Sequence, residues 1–160
     1  MNLCRLVYLS QRNPAIDVNM QDVMAVSQRN NTPQEITGLL YFDGMYFVQA
    51  LEGRRSRVTA TYNRIAADAR HVSLCIVSYT DIRERIFGGW SMALHGGMNA
   101  EIREQMAAFF SLSSFDPENV SAESLVYFLQ ILAIELRRND DGRLNSLKTG
   151  ARLSIVPSSR

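Results

Sequence analysis

Gln49 sits in the middle of an apolar run, Met45 to Leu51, where strand alternation puts it on the same face as Phe47 and Leu51. A buried primary amide left unpaired costs on the order of 1–3 kcal/mol, so a polar group has to meet it. Tyr8 belongs to another apolar run, residues 2–10, and parity groups it with Cys4 and Leu6. A glutamine carries a donor and an acceptor on one flexible side chain, and a tyrosine carries an oxidisable ring and a transferable proton. Facing each other, the two can exchange hydrogen bonds or pass a proton. On spacing alone, a satisfied tyrosine–glutamine hydrogen bond with no further role is the better account.

The remaining polar candidates are weaker. Asn30 and Asn31 fall at the end of a helical stretch, where C-capping is common. Arg64 and Asp68 lie one turn apart on a second helix, a spacing that predicts a solvated ion pair of about 0.3–0.5 kcal/mol. His71 and His95 are the two histidines, too isolated for a metal site, and His71 suits a surface or capping role at a helix-to-strand junction. Asp22 and Glu35 fall on different elements, without catalytic spacing. Walker-type glycine loops, dinucleotide fingerprints and G-x-S-x-G elbows are absent from the sequence, so an enzyme reading has little support.

The elements that must position these residues follow from periodicity and turn chemistry. After the first strand, Asn13-Pro14 breaks the chain, and Asp17 is expected to cap a helix running to Asn30, closed by Pro33 and carrying Val23, Met24 and Val26 inward. Glu35 to Phe42 and Met45 to Leu51 read as strands joined by Asp43-Gly44, a hairpin dipeptide in which both residues tolerate positive φ. Gly53 ends that hairpin. Arg55 to Ala69 predicts a second helix with Val58, Tyr62 and Ile65 buried, Val72 to Tyr79 a fourth strand, and Trp90 to Leu94 a fifth.

Strand, helix, strand, strand, helix, strand is the order of an α+β, ferredoxin-like βαββαβ sheet. Its first and third strands are central neighbours, which lets Tyr8 and Gln49 meet beneath the two helices. The opposite face also needs covering. Ile102, Met106, Phe109 and Phe110, then Leu125, Phe128, Leu129, Leu132 and Leu136, have helical spacing and can supply C-terminal helices, separated at Phe115-Asp116-Pro117.

The chain of 160 residues suits one domain, and a net charge of +1 points to neither nucleic acid nor an anionic membrane as a partner. Cys4 and Cys75 are expected to be free, buried thiols, since neither has disulfide or metal spacing. With no signal-peptide pattern and no spanning run, a cytoplasmic protein is expected.

Six segments carry a resemblance: Arg5 to Ser10, Asn30-Asn31, Ile36 to Leu40, Phe47 to Gly53, Asp68 to His71, and Phe87 to Met92. In this order, across residues 2–95, they resemble the BLUF family, sensors of blue light using FAD, in its short single-domain form. The resemblance implies a photosensor domain over 2–95; beyond it, helical spacing predicts a helical cap over 96–138, and the polar stretch over 139–160 reads as a flexible tail. The resemblance also implies that FAD binds non-covalently between the two helices (FMN or riboflavin substituting), with Tyr8 and Gln49 as the photoactive pair. Asn31 would hold the ring edge, and Asn30, Arg64, Asp68, Arg70 and His71 would add contacts. Trp90 and Met92 fall at the family's switch position, where one or the other approaches the ring, and the sequence leaves open which.

The implied photocycle is light-driven electron and proton transfer from Tyr8 with Gln49 as intermediary. It leaves the amide rotated or tautomerised and gives a small red shift that recovers in the dark, with no catalytic residues. The amphipathic stretch Val120 to Arg138 then points to self-association or a separate output protein, and the resemblance implies a cyclic-di-nucleotide phosphodiesterase or a transcription regulator as such a partner, without choosing between them. A flavin-free ferredoxin-like interaction module is the competing class, and a small flavin enzyme the third.

Overall fold

The computed structural model describes residues 2–107, 119 and 121–153, with backbone only for 144–153. Phe109, Phe110 and Phe115-Asp116-Pro117 of the expected cap, and positions 154–160 of the expected tail, lie outside the described residues. Five strands form one sheet: β1 (Leu3–Arg12), β2 (Thr37–Phe42), β3 (Tyr46–Arg54), β4 (His71–Ile82) and β5 (Ala93–Gly96). Their order is β4-β1-β3-β2-β5, with β5 parallel to β2 and the other neighbours antiparallel. Helices α1 (Met20–Asn31) and α2 (Arg55–Ala66) serve one face, and α3 (Ala100–Met106) and α4 (Ala122–Leu153) the other. This is the expected ferredoxin-like α+β sheet with a fifth strand.

Alternation along the central strands splits the apolar side chains into two cores. Cys4, Leu6, Tyr8, Leu40, Phe47, Leu51 and Met92 pack with Val23 of α1 and Val58 of α2. Val7, Leu9, Leu39, Tyr41, Val48 and Ala50 pack with Ile102 and Met106 of α3 and Leu125, Phe128, Leu129 and Leu132 of α4. A strand covered on both sides is therefore apolar at both parities, as residues 2–10 are.

The local boundaries differ from the sequence reading in instructive ways. Asn19, not Asp17, caps α1: its side chain accepts from the backbone N–H groups of Gln21 and Asp22. Val26, expected inward, is exposed because it borders the open cleft between α1 and α2. At Asp43-Gly44 only Gly44 has positive φ (97°), since Asp43 instead accepts from the N–H groups of Met45 and Tyr46 in an Asx turn. Gly53 does not end β3, which continues to Arg54 in register with Leu3. The fifth strand begins at Ala93 rather than Trp90, because Trp90 to Met92 form an irregular approach tied to β2 by the Gly38 N–H donating to the Trp90 carbonyl at 3.1 Å.

Cys4 is buried as expected, but Cys75 is exposed. It lies on β4, an edge strand whose pairing with β1 shifts register twice, with Ser73 at φ 53° at one irregularity. Ile76 and Tyr79 of the same strand are exposed as well, Tyr79 lying against Arg55 and Thr59 of α2. The chain beyond Arg138, expected as a flexible tail, continues α4 as helical backbone to Leu153. No proline interrupts residues 139–153, so nothing in the stretch forces the helix to stop. Among the described residues no helix is long and apolar enough to cross a membrane.

Candidate functional site

Tyr8 and Gln49 are directly opposed Cα partners of β1 and β3. Both side chains point under α1 and α2, where Tyr8 is 1% and Gln49 3% exposed. The Tyr8 hydroxyl donates to Gln49 Oε1 at 2.5 Å, and Gln49 Nε2 donates to Met92 Sδ at 3.1 Å. A thioether is a weak acceptor, so the amide N–H groups are poorly matched for so buried a position. Burial raises the Tyr8 pKa far above its ordinary 10, with the hydroxyl of Tyr62 and the carboxylate of Asp68 adding in the same direction. The phenol therefore keeps its proton at any working pH. The Tyr62 ring meets the Tyr8 ring edge-on, 5.5 Å between centroids.

The pair forms the floor of a cleft of about 190 Å³ between α1 and α2, more than a single buried water would fill. Val23, Val26, Leu40, Leu51 and Ile65 give it apolar walls; Asn30, Asn31, Arg64, Asp68, Arg70 and His71 give it a polar rim. Every residue predicted for this site except Trp90 and Met92 lines the cleft, and Met92 reaches it through Gln49. Sequence reasoning missed Ser27 and Thr61, which also line it. Val23, Ser27 and Asn30, like Thr61, Arg64 and Ile65, recur at helical spacing, a signal that could have found them.

Individual roles differ from those expected. Asn31 is 2% exposed, and Thr32 rather than Asn31 is the C-cap of α1; the Asn31 Nδ2 instead donates to the Ser91 carbonyl at 2.9 Å. Gln28, one turn earlier, donates to the Met92 carbonyl at 3.0 Å. Arg64 does not pair with Asp68, because α2 ends at Ala66 and the chain turns before Asp68; it donates to Thr61 Oγ1 at 3.2 Å. Asp68 is gripped by Arg70, whose Nε lies 3.0 and 2.9 Å from its two oxygens, and that contact lowers the Asp68 pKa. His71 is part-buried rather than on the surface. Its Nδ1 shares a hydrogen bond with Ser10 Oγ at 2.8 Å, and burial lowers its pKa to about 4.

Of Trp90 and Met92, only Met92 reaches the Gln49 amide in this structure. Met92 is 1% exposed and faces Gln49. Trp90 packs with the opposite core, under the Arg137 guanidinium of α4 at 5.2 Å. Steric room explains the choice: a Cβ at Gly38 would overlap the Ala50 carbonyl oxygen and lie 3.0 Å from Met92 Cε, so the glycine makes the space Met92 occupies. Away from the cleft, His95 of β5 is joined to Glu135 of α4 at 2.6 Å.

A sheet floor with a tyrosine–glutamine pair under two helices defines the class of protein. The family model of BLUF, sensors of blue-light using FAD, matches residues 3–93, and the chain belongs to that family. It is 30% identical over 129 residues to the photoactivated adenylate cyclase subunit beta of Euglena gracilis, covering 74% of this chain and 15% of that protein. It is 30% identical over 93 residues to the blue light- and temperature-regulated antirepressor BluF of Escherichia coli, covering 58% of this chain and 23% of that one. The chain thus spans less than a quarter of these two relatives. Among solved structures it is similar to BlsA in its photo-activated state, with a TM-score of 0.76 and 29% identity over 84% of this chain and 96% of that one.

The family's flavin suits the cleft on the cleft's own terms. Apolar walls suit a flat aromatic ring, the rim supplies amide and guanidinium donors, and the Gln49 amide is aimed where a carbonyl or ring nitrogen would be a better acceptor than sulfur. Asn30, Asn31, Arg64, Asp68, Arg70 and His71 could hold such a group.

Proposed function

We propose that this chain is a cytoplasmic blue-light photoreceptor in which Tyr8 and Gln49 respond to excitation of FAD held between α1 and α2, with FMN or riboflavin able to substitute. Flavin supplies blue-light absorption and, when excited, a strong electron acceptor. The observation that carries the reading is the buried hydrogen bond from Tyr8 to Gln49 Oε1, continued by the Gln49 amide to Met92. Tyr8 gives up an electron, and its proton leaves along the bond already directed at Gln49 Oε1. The electron and the proton then return to Tyr8, leaving the Gln49 side chain rotated or tautomerised until dark recovery. Asn31 and Gln28 fix the Ser91–Met92 backbone beside the amide, so a change at Gln49 is felt first at Met92.

From there the signal passes to α4. Trp90 packs beneath Arg137, which also donates to the Ile86 carbonyl, and His95 bonds Glu135. Rearranging one or two hydrogen bonds redistributes roughly 1–3 kcal/mol, enough to bias a two-state contact without unfolding the domain. Residues 2–95 act as the sensor and residues 96–138 as its cap and output surface. The output is self-association or a separate protein, either a transcription regulator (the E. coli relative is an antirepressor) or a cyclic-di-nucleotide phosphodiesterase.

An absorption spectrum of purified protein before and after blue light tests this. The expected result is a flavin spectrum with a small, dark-reversible red shift that is abolished in Tyr8→Phe and Gln49→Leu. Folded protein that takes up no flavin on reconstitution would instead support a flavin-free interaction module, and substrate-dependent flavin reduction an enzyme. Equal oligomerisation and partner binding in light and dark would overturn the output role of α4.

A further inference from the structure

Glu52 is a fully buried acid that the photochemistry does not use. It sits on β3 three residues after Gln49, on the opposite face of the strand by parity. Its Oε1 accepts from Arg5 Nε at 2.7 Å and from the Ile86 N–H at 3.1 Å, and its Oε2 from the Phe87 N–H at 3.0 Å. Arg5 also lies 5.9 Å from the centre of the Phe87 ring, which is itself fully buried. The carboxylate therefore fastens the chain between β4 and β5 at two consecutive backbone amides.

Arg85 fastens the same segment from the side, donating to Thr37 Oγ1 and to the carbonyls of Glu52 and Glu35 at 2.8–2.9 Å. From Phe87 the bonds lead toward the cleft. The Trp90 N–H donates to the Phe87 carbonyl at 3.3 Å, the Trp90 carbonyl accepts from Gly38, and Met92 follows two residues later against Gln49.

We propose that Glu52 is a positioning residue for the light response: it sets the Ile86–Phe87 backbone and thereby holds Met92 over the Gln49 amide and Trp90 under α4. This rests on the photoreceptor reading above. A neutral amide of the same shape cannot replace the carboxylate, because its NH2 would face either a backbone N–H or the Arg5 guanidinium, donor against donor. With the segment loosened, Met92 supports the resting amide less, so the return to that arrangement is less strongly driven.

The test compares full-length wild type, Glu52→Gln and Glu52→Asp, the last keeping the charge but retracting it by one methylene. Trp90 is the chain's single tryptophan and reports the segment directly. Flavin-loaded Glu52→Gln and Glu52→Asp are expected to recover in the dark about threefold or more slowly than wild type. Their Trp90 emission should shift to the red with greater acrylamide quenching, at a temperature where circular dichroism shows them folded. If one variant does not fold, the other carries the same readouts. Recovery and Trp90 emission at wild-type values, with only the melting temperature lowered, would mean a merely structural acid and overturn the proposal. A wild type without any light response would sink the photoreceptor reading, while Trp90 emission would still decide whether Glu52 anchors the segment.

Discussion

Tyr8 on the floor of the cleft and His71 on its rim lie 6.4 Å apart between ring centroids, and burial acts on both so as to keep them uncharged. For Tyr8 this couples proton to electron, because loss of the proton alone is heavily disfavoured in so dry a position. For His71 it has a consequence for stability. Its pKa of about 4 in the folded protein lies below the ordinary 6.5, so between these values the unfolded chain binds a proton that the folded chain does not. Its neutral state contributes fully above about pH 6.5, and the contribution falls as the pH drops toward 4. The wild type should lose on the order of 2–3 kcal/mol across that window in urea unfolding, and His71→Asn, which has no imidazole to protonate, should lose correspondingly less. Asp68, held down by Arg70, contributes its own loss at lower pH, below its ordinary 3.8.

At the scale of elements, β2 and β3 determine which side chain reaches Gln49. Gly38 pairs with Leu51, and the space above it is taken by the Ala50 carbonyl and by Met92. Gly38→Ala is expected to cost about 1–3 kcal/mol or more by chemical denaturation, since backbone rather than a flexible side chain has to move. In whatever folds, Met92 should be pushed from the amide and the light-induced shift changed in amplitude. The boundaries of these elements were legible only where the signal is local. Asp43-Gly44 announces its hairpin because a tight turn needs those residues whatever surrounds them. The cap of α1 was misplaced because Asp17 and Asn19 are both competent caps, and the path of the chain after Pro14 chooses between them. Asp68 was paired with Arg64 because i,i+4 spacing presumes a helix that ends two residues too early to contain it.

For the whole molecule the sheet is a partition with a cleft on one side and an ordinary apolar core on the other. The Phe128 ring of α4 meets Tyr41 edge-on at 5.0 Å in the second core, and Leu132 is fully buried beside it. Phe128→Ala should therefore cost about 3–5 kcal/mol in unfolding experiments and yet leave the dark flavin spectrum of the folded fraction unchanged. A spectral change would show that the two faces are coupled even at rest. Among the described residues, contacts suited to coupling them include Glu52 to the Ile86–Phe87 backbone, Arg137 to the Ile86 carbonyl, Trp90 beneath Arg137, and His95 with Glu135.

By itself the sequence determined the order of strands and helices, the two faces of β1 and β3, and the meeting of Tyr8 with Gln49. Those follow from a period of two, from turn residues, and from the rule that a buried amide has to find a partner. The match to a family pattern added a flavin and named the polar rim of the cleft. Only the tertiary structure decided that Met92 rather than Trp90 faces the amide, that Arg70 and not Arg64 holds Asp68, that Cys75 is exposed, and that Glu52 anchors a segment 34 residues further on. Each of these depends on register across a sheet or on where a strand lies relative to its edge. Residues distant in sequence set those quantities jointly, so no window along the chain contains them.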